Sequence, residues 1–257
     1  MVGYEIFDEI ICITLKCNVE RQNLVKKTFK QIGILPTFYV AKKSPRGGRI
    51  GCFESHLNVI NECYNKGAER ILIFEDDVIT TPGYSTELIN EACTFMKNNQ
   101  DWDIFQLGYE IYDIDNGFFG ELLSYIASEK VGNTQNIYKF FQSTTHSYCL
   151  SRSGMRILLK YSYYLNNLDD EVPHFDVIIK KNSKTANYKC YGIAPMLFTQ
   201  RWCLKSDNIA FSKLEKIFRN FICVMEISNF GYINSLLLAY RYTIFFILSK
   251  IMLLFIK

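Results

Sequence analysis

The sequence predicts an α/β sandwich carrying a helical, hydrophobic C-terminal tail. Three observations predict it. Short apolar runs alternate with amphipathic stretches over about residues 1–110, in β–α–β–α order, which argues for a sheet with helices on both faces. The third of those runs stops abruptly in three acids. From Ile209 onward the chain instead reads as helix after helix. The reading is one α/β domain over 1–208 and a helical extension over 209–257.

Each element has its own signal. Residues 7–15 are Ile-rich, bounded by polar residues, and read as a first strand. Asn18 suits an N-cap for a helix over about 19–32, which Gly33 stops. Leu24, Val25, Phe29 and Ile32 give that helix an apolar face. TFYVA (37–41) reads as a second strand, followed by the basic, glycine-containing loop KKSPRGGR. GCFESHLNVINECYNKG has helical period and ends at Gly67. RILIF (70–74) is a third strand, 84–98 a helix, and DIFQL (103–107) a further strand ending at Gly108. The irregular stretch 109–136 reads as a variable surface loop. THSYCL (145–150) is a strand, followed by a helix capped at Ser151 or Ser153. HFDVIIKK starts another helix, and YGIAPMLF is a late strand.

Composition narrows the function classes. Apolar residues make up 49% of the 257 and charged residues 21%, which excludes a disordered or low-complexity scaffold. The net charge of +3 is too even to point to nucleic acid. The nine cysteines are odd in number and lack CxxC spacing, so reduced thiols in a reducing compartment are expected. No secretory signal is visible at the N-terminus, so a cytoplasmic location is expected. The run YTIFFILSKIMLLFI (242–256) spans about 22 Å as a helix, short of a hydrocarbon core of about 30 Å. Extension back to Tyr232 gives the length but adds Arg241. The segment 232–257 is therefore read as a candidate membrane contact, a docking helix in an oligomer, or a helix packed on its own domain.

The chemistry centres on RILIFEDDV (70–78). A buried strand that releases Glu75, Asp76 and Asp77 places them at its carboxyl end, where ligands of open α/β sheets bind. Adjacent carboxylates are tolerated in water or on a divalent cation, and hard oxygen ligands suit Mg²⁺ or Mn²⁺. In an extended chain Glu75 and Asp77 would point together and Asp76 elsewhere. The plain alternative is a solvated acidic turn. RGGRIGCFESH (46–56) combines Gly47, Gly48 and Gly51 with Arg46 and Arg49, which suits either a diphosphate cradle or an ordinary flexible loop. Asp101 and Asp103 precede their strand and read as structural. Asp169, Asp170, Glu171 and Asp176 are candidate general bases.

The order of these blocks resembles glycosyltransferase family 25 over about residues 11–207. The most specific part is GC-x-x-SH followed about twenty residues later by an apolar run and EDD. The resemblance implies a GT-A-like, Rossmann-type nucleotide-binding sandwich. It implies transfer of galactose or glucose from a UDP-sugar to a hydroxyl on a glycan, lipid-linked sugar or protein, inverting and dependent on Mn²⁺ or Mg²⁺. Carried onto this sequence, it implies Asp77 and Glu75 as metal ligands, and Arg21, Gly51, Ser55, His56, Glu75 and Asp76 on the nucleotide-sugar side. It implies Asp176 as the catalytic acid/base group. Glu54 stands where the family often has an apolar residue. A non-catalytic sugar-nucleotide-binding or scaffolding relative is the alternative reading. A haloacid-type phosphatase fits poorly, because its acids follow the first strand and begin with Asp, not Glu75.

Overall fold

The computed structural model describes residues 3–81, 83–109, 129–139, 144–166, 172–183, 188–194 and 196–201. These fall, but for Arg201, in a compact unit made of Met1–Glu110 and Glu129–Gln200. The expected boundary at 208/209, the apolar tail, Asp169, Asp170, Glu171 and most of the irregular loop lie outside the described residues. Among the described residues, no helix is long and apolar enough to cross a membrane.

The unit is an α/β fold on a mixed sheet. Strands β1 (Glu9–Leu15), β2 (Thr37–Ala41) and β3 (Arg70–Glu75) alternate with helices α1 (Val19–Ile32) and α2 (Gly48–Asn65). Then follow β4 (Val78–Thr80), α3 (Thr86–Asn98), β5 (Ile104–Gln106), β6 (Glu129–Lys130), β7 (Ile137–Lys139) and β8 (Ser147–Ser151). Helices α4 (Arg152–Leu159), α5 (Tyr163–Asn166) and α6 (Phe175–Ser183) precede β9 (Cys190–Ile193) and β10 (Phe198–Gln200). The main sheet runs β2-β1-β3-β8-β5-β9-β7-β6. β1 is parallel to β2 and β3, and β8 runs antiparallel between β3 and β5.

Alternation along β3 sorts the two faces. Leu72 and Phe74 join Val25, Phe29 and Ile32 of α1 and Ile89, Ala92 and Met96 of α3 in one apolar cluster. Ile71 and Ile73, also fully buried, point the other way by the period of two. Helices therefore cover both faces, as expected. Gly154 at the start of α4 lets the helix meet β5: a Cβ there would lie 2.0 Å from the Asp103 carbonyl oxygen. Asp103 accepts from the Ser153 hydroxyl and, at 2.8 Å, from the Lys189 amide, so its role is structural, as the sequence suggested.

Two local expectations are refined. Asn18 is the N-cap residue of α1, as expected, but its side chain makes no cap hydrogen bond. Its amide instead donates to Asp76 Oδ2 at 3.4 Å, where a charged acceptor competes with the helix end. The late strand over YGIAPMLF is two strands: β9 joins the main sheet, and β10 pairs with β4 in a separate ribbon. Pro195 sits between them in sequence and has no N–H to give a ladder.

Candidate active site

The site forms at the carboxyl ends of β1 and β3, where α1 and α2 converge. β3 ends at Glu75, and the chain turns at Asp76 and Asp77 before β4. The turn ends the strand alternation, so Asp76 does not stand apart from Asp77. Arg21, one turn into α1, ties both: Nε lies 2.6 Å from Asp76 Oδ1 and Nη2 lies 2.7 Å from Asp77 Oδ2. Asp76 also accepts from the Thr14 hydroxyl at 2.6 Å and is buried, which fixes it as the anchor of the turn. Asp77 keeps Oδ1 without a hydrogen-bond partner although that atom is buried.

Glu75 faces α2. Its Oε1 lies 3.4 Å from His56 Nε2 and is likewise buried without a hydrogen-bond partner. The His56 ring is held from its far side by the Tyr148 hydroxyl, 2.8 Å from Nδ1, and is stacked on Phe175 with centroids 4.9 Å apart. Cys52, one turn before His56 on α2, brings its sulfur to the same place. The Cys52, His56 and Glu75 donor atoms all lie within 4.8 Å of one another. Gly51 lets α2 pass Ser44, and the Ser55 hydroxyl donates back to the Gly51 carbonyl within the helix.

The carboxyls respond unequally. Burial raises that of Asp77, the neighbouring Glu75 charge adds to this, and Arg21 opposes it. Burial also raises Glu75, but contacts with His56 and Thr145 outweigh it and leave the group below the usual carboxylate range. Asp176, in the first turn of α6, is raised by burial and accepts from the Val177 amide at 2.8 Å. The Glu75 charge adds to the rise at Asp176, and the Asp176 charge adds to that of the Cys52 thiol, which burial raises most.

Val177, Ile178 and Lys181 of α6, with His174 and Pro173 just before it, line a cleft of about 390 Å³; Arg49, Tyr161 and Tyr164 complete it. Arg49 thus belongs, in this arrangement, to the cleft wall.

A family model described as "Glycosyltransferase family 25 (LPS biosynthesis protein)" matches residues 41–173, more than half of the chain. The chain belongs to glycosyltransferase family 25. Among curated relatives of this family 25 chain, the lipooligosaccharide biosynthesis protein lex-1 of Haemophilus influenzae is 29% identical over 181 residues, covering 66% of this chain and 55% of the relative. Procollagen galactosyltransferase 1 of Danio rerio is 33% identical over 61 residues, 24% of this chain and 10% of the relative. The chain thus spans about half the length of the first relative and a small part of the second. Among solved structures, a glycosyltransferase involved in glycosylation of the major capsid of PBCV-1 aligns over 83% of this chain and 98% of its own, with TM-score 0.44 and 11% identity.

Family 25 membership carries the expectation of a divalent cation at the acids, and the residues fit one. Glu75 Oε1 and Asp77 Oδ1 are buried hard-oxygen donors without hydrogen-bond partners, and each raises the cost of charge on the other. Asp76 is less suited, because Arg21, Thr14 and Asn18 already engage it.

Of the residues singled out from sequence, the fold brings Arg21, His56, Glu75, Asp76 and Asp77 together, with Asp176 close by. Gly51, just over a turn before His56 on α2, and Ser55, next to it in sequence, make contacts local to the helix and to Ser44. Thr14, Tyr148, Phe175 and the sulfur of Cys52 were not picked out. Only Cys52 had a visible signal, its spacing of four from His56.

His146 provides a pH prediction. It is fully buried; burial lowers its imidazole to about 4, against the pull of Glu75 and of the Phe198 carbonyl. An unfolded histidine titrates near 6.5, so between about 6.5 and 4 the unfolded chain binds a proton that the folded chain refuses. Stability is fully present above pH 6.5 and is lost as pH falls towards 4, by on the order of 3 kcal/mol. Urea midpoints of wild type and His146→Gln, compared from pH 7.5 to 4.5, should therefore converge or cross as pH falls. A constant difference across that range would contradict the assignment.

Proposed function

We propose that this chain transfers a hexose, galactose or glucose, from a UDP-sugar to a hydroxyl of a glycan, lipid-linked sugar or protein acceptor, with inversion at the anomeric carbon. On this reading the α/β unit is a GT-A-like, Rossmann-type nucleotide-binding sandwich. The observation that carries it is the placing of two buried carboxylate oxygens where β3 ends: Asp77 Oδ1, which has no hydrogen-bond partner, and Glu75 Oε1, which faces His56 Nε2 at 3.4 Å. An open α/β sheet binds its ligand there.

Glu75 and Asp77 would hold Mn²⁺ or Mg²⁺, which supplies positive charge to a departing diphosphate when bound. Arg21 keeps Asp76 and Asp77 aligned in the turn and contributes fixed positive charge on the nucleotide side. The α2 block of Gly51, Ser55 and His56 walls that side. Asp176 accepts the proton of the acceptor hydroxyl as its oxygen bonds to the anomeric carbon and the bond from that carbon to the UDP oxygen breaks. Its raised affinity for a proton suits a base acting near neutral pH. Opposite-side attack inverts the centre, and positioning of the two substrates supplies much of the rate.

The cleft lined by α6 is assigned to the acceptor. Tyr161 and Tyr164 lie parallel within 2°, with centroids 6.4 Å apart, and offer flat faces to a sugar ring. Tyr164→Ala should raise the acceptor KM about tenfold, as expected for about 1.4 kcal/mol of lost binding, with the UDP-sugar KM unchanged. Equal acceptor KM values in steady-state assays would remove the cleft from the acceptor site. The function itself is tested by mass spectrometry of products from a panel of UDP-sugars and hydroxyl acceptors with Mn²⁺. A hexose added to an acceptor supports it. Nucleotide binding without transfer across the panel favours a non-catalytic relative.

A further inference from the structure

We propose that Cys52, His56 and Glu75 form a binding site for a thiophilic divalent cation of the Zn²⁺ class. Its sulfur, nitrogen and oxygen donors differ in kind from the carboxylate pair assigned to Mn²⁺ or Mg²⁺. Cys52 and His56 are four residues apart on α2, so the helix presents them on one face. Their donor atoms and a Glu75 oxygen all lie within 4.8 Å of one another. The His56 Nε2 to Glu75 Oε1 distance is 3.4 Å. Two ligands at 2.0–2.1 Å from a tetrahedral ion stand about 3.3–3.4 Å apart, so this edge is already set.

The surroundings are those of a ligand histidine. His56 is 1% exposed, Phe175 stacks on its ring, and the Tyr148 hydroxyl holds Nδ1, leaving Nε2 aimed at Glu75. An outer partner of this kind fixes the orientation of a metal-binding imidazole. Glu75 Oε1 is buried, faces that nitrogen and has no hydrogen-bond partner. Three protein ligands leave a fourth position for water or another small ligand. On binding, the Cys52 thiol releases its proton to solvent and the sulfur bonds to the ion. His56 binds as neutral imidazole, its Nδ1–H donated to the Tyr148 oxygen. Thiolate and carboxylate together neutralise the ion's two charges.

Glu75 belongs to both donor sets, so an ion on Cys52 and His56 withdraws it from the oxygen pair. This consequence, unlike the site itself, rests on the reading given under Proposed function: Zn²⁺ then opposes the activating cation.

The test is Co²⁺ titration of the full reduced chain, followed by absorption. Wild type should bind one equivalent with sulfur-to-cobalt charge transfer and tetrahedral ligand-field bands, both erased by one equivalent of Zn²⁺. Cys52→Ser, checked for native circular dichroism, should lose the charge-transfer band and weaken Zn²⁺ binding at least tenfold in competition with a chromophoric chelator. Cys63→Ser, at a buried thiol elsewhere on α2, serves as control and should keep both. Absence of charge transfer in wild type, or its survival in Cys52→Ser, overturns the site. These spectra do not depend on sugar transfer, so their failure and the failure of the transferase reading are separate results. With activity in hand, stoichiometric Zn²⁺ should suppress Mn²⁺-dependent transfer in wild type and spare Cys52→Ser; equal inhibition of the two would overturn the antagonism.

Discussion

Asp77→Asn should transfer sugar about 10³-fold more slowly than wild type, while its thermal midpoint holds or rises. The two effects have one origin. Asp77 is largely buried beside Glu75 and Asp76, and burial first, then the charges of those two neighbours, raises its carboxyl. Asparagine keeps the shape and removes that charge, which relieves repulsion within the turn. Arg21 loses one ionic partner but keeps Asp76 at 2.6 Å. The same change removes the carboxylate oxygen that has no hydrogen-bond partner and is therefore available to a cation. Initial rates of UDP release, measured beside thermal melts, check both halves. Activity within tenfold of wild type would take Asp77 out of the active site. A large drop in the melt would show that the Asp77 charge holds the turn together.

Arg21→Ala is expected to do the reverse to stability. Arg21 bridges Asp76 and Asp77, whose side chains are 6% and 15% exposed. Its loss leaves Asp76 with Thr14 and Asn18, neither of which carries charge, and takes from Asp77 the guanidinium that neutralises it. Breaking a buried ion pair by removing one partner costs about 3–5 kcal/mol. The urea midpoint should fall by the equivalent amount, and turnover should fall with it. Arg21→Lys restores charge but not a planar fork able to reach two carboxylates, so it should recover only part of the loss. A second check is specific to the acid cluster: millimolar Mn²⁺ should raise the melting temperature of Arg21→Ala more than that of wild type, because added positive charge substitutes for the missing guanidinium. An Arg21→Ala melt matching wild type would mean that the three acids carry no repulsion worth neutralising.

Much of the architecture could be read from the chain because its signals are local. Helix α1 begins at Val19 and ends at Ile32, where Gly33 adopts φ 72°, and β2 spans Thr37–Ala41, both as the pattern predicts. The acids at the end of β3 follow from an apolar run that stops in three charges. What the sequence could not show is long-range. The antiparallel entry of β8 between β3 and β5 depends on pairing between Leu72 and Cys149, 77 positions apart, which no local period encodes. The same holds for Tyr148, which reaches His56 across 92 positions. Arg21 was implied as a nucleotide contact by the family resemblance alone. Its partners in the fold are Asp76 and Asp77, which equally suit a guanidinium. Strand alternation set Asp76 apart from Asp77, but that rule holds only while the backbone stays extended, and it turns at Asp76, where Arg21 ties the two.

On the proposed reading, Glu75 and Asp77 hold a cation through which a sugar-linked diphosphate is held. Isothermal titration of UDP into wild type and Asp77→Asn, each with Mn²⁺ and with excess chelator, tests this. UDP should bind wild type with Mn²⁺ at least tenfold more tightly than with chelator, and Asp77→Asn should show the weak value in both conditions. Equal UDP affinity for wild type with and without the metal, or metal-dependent binding undiminished in Asp77→Asn, would contradict it.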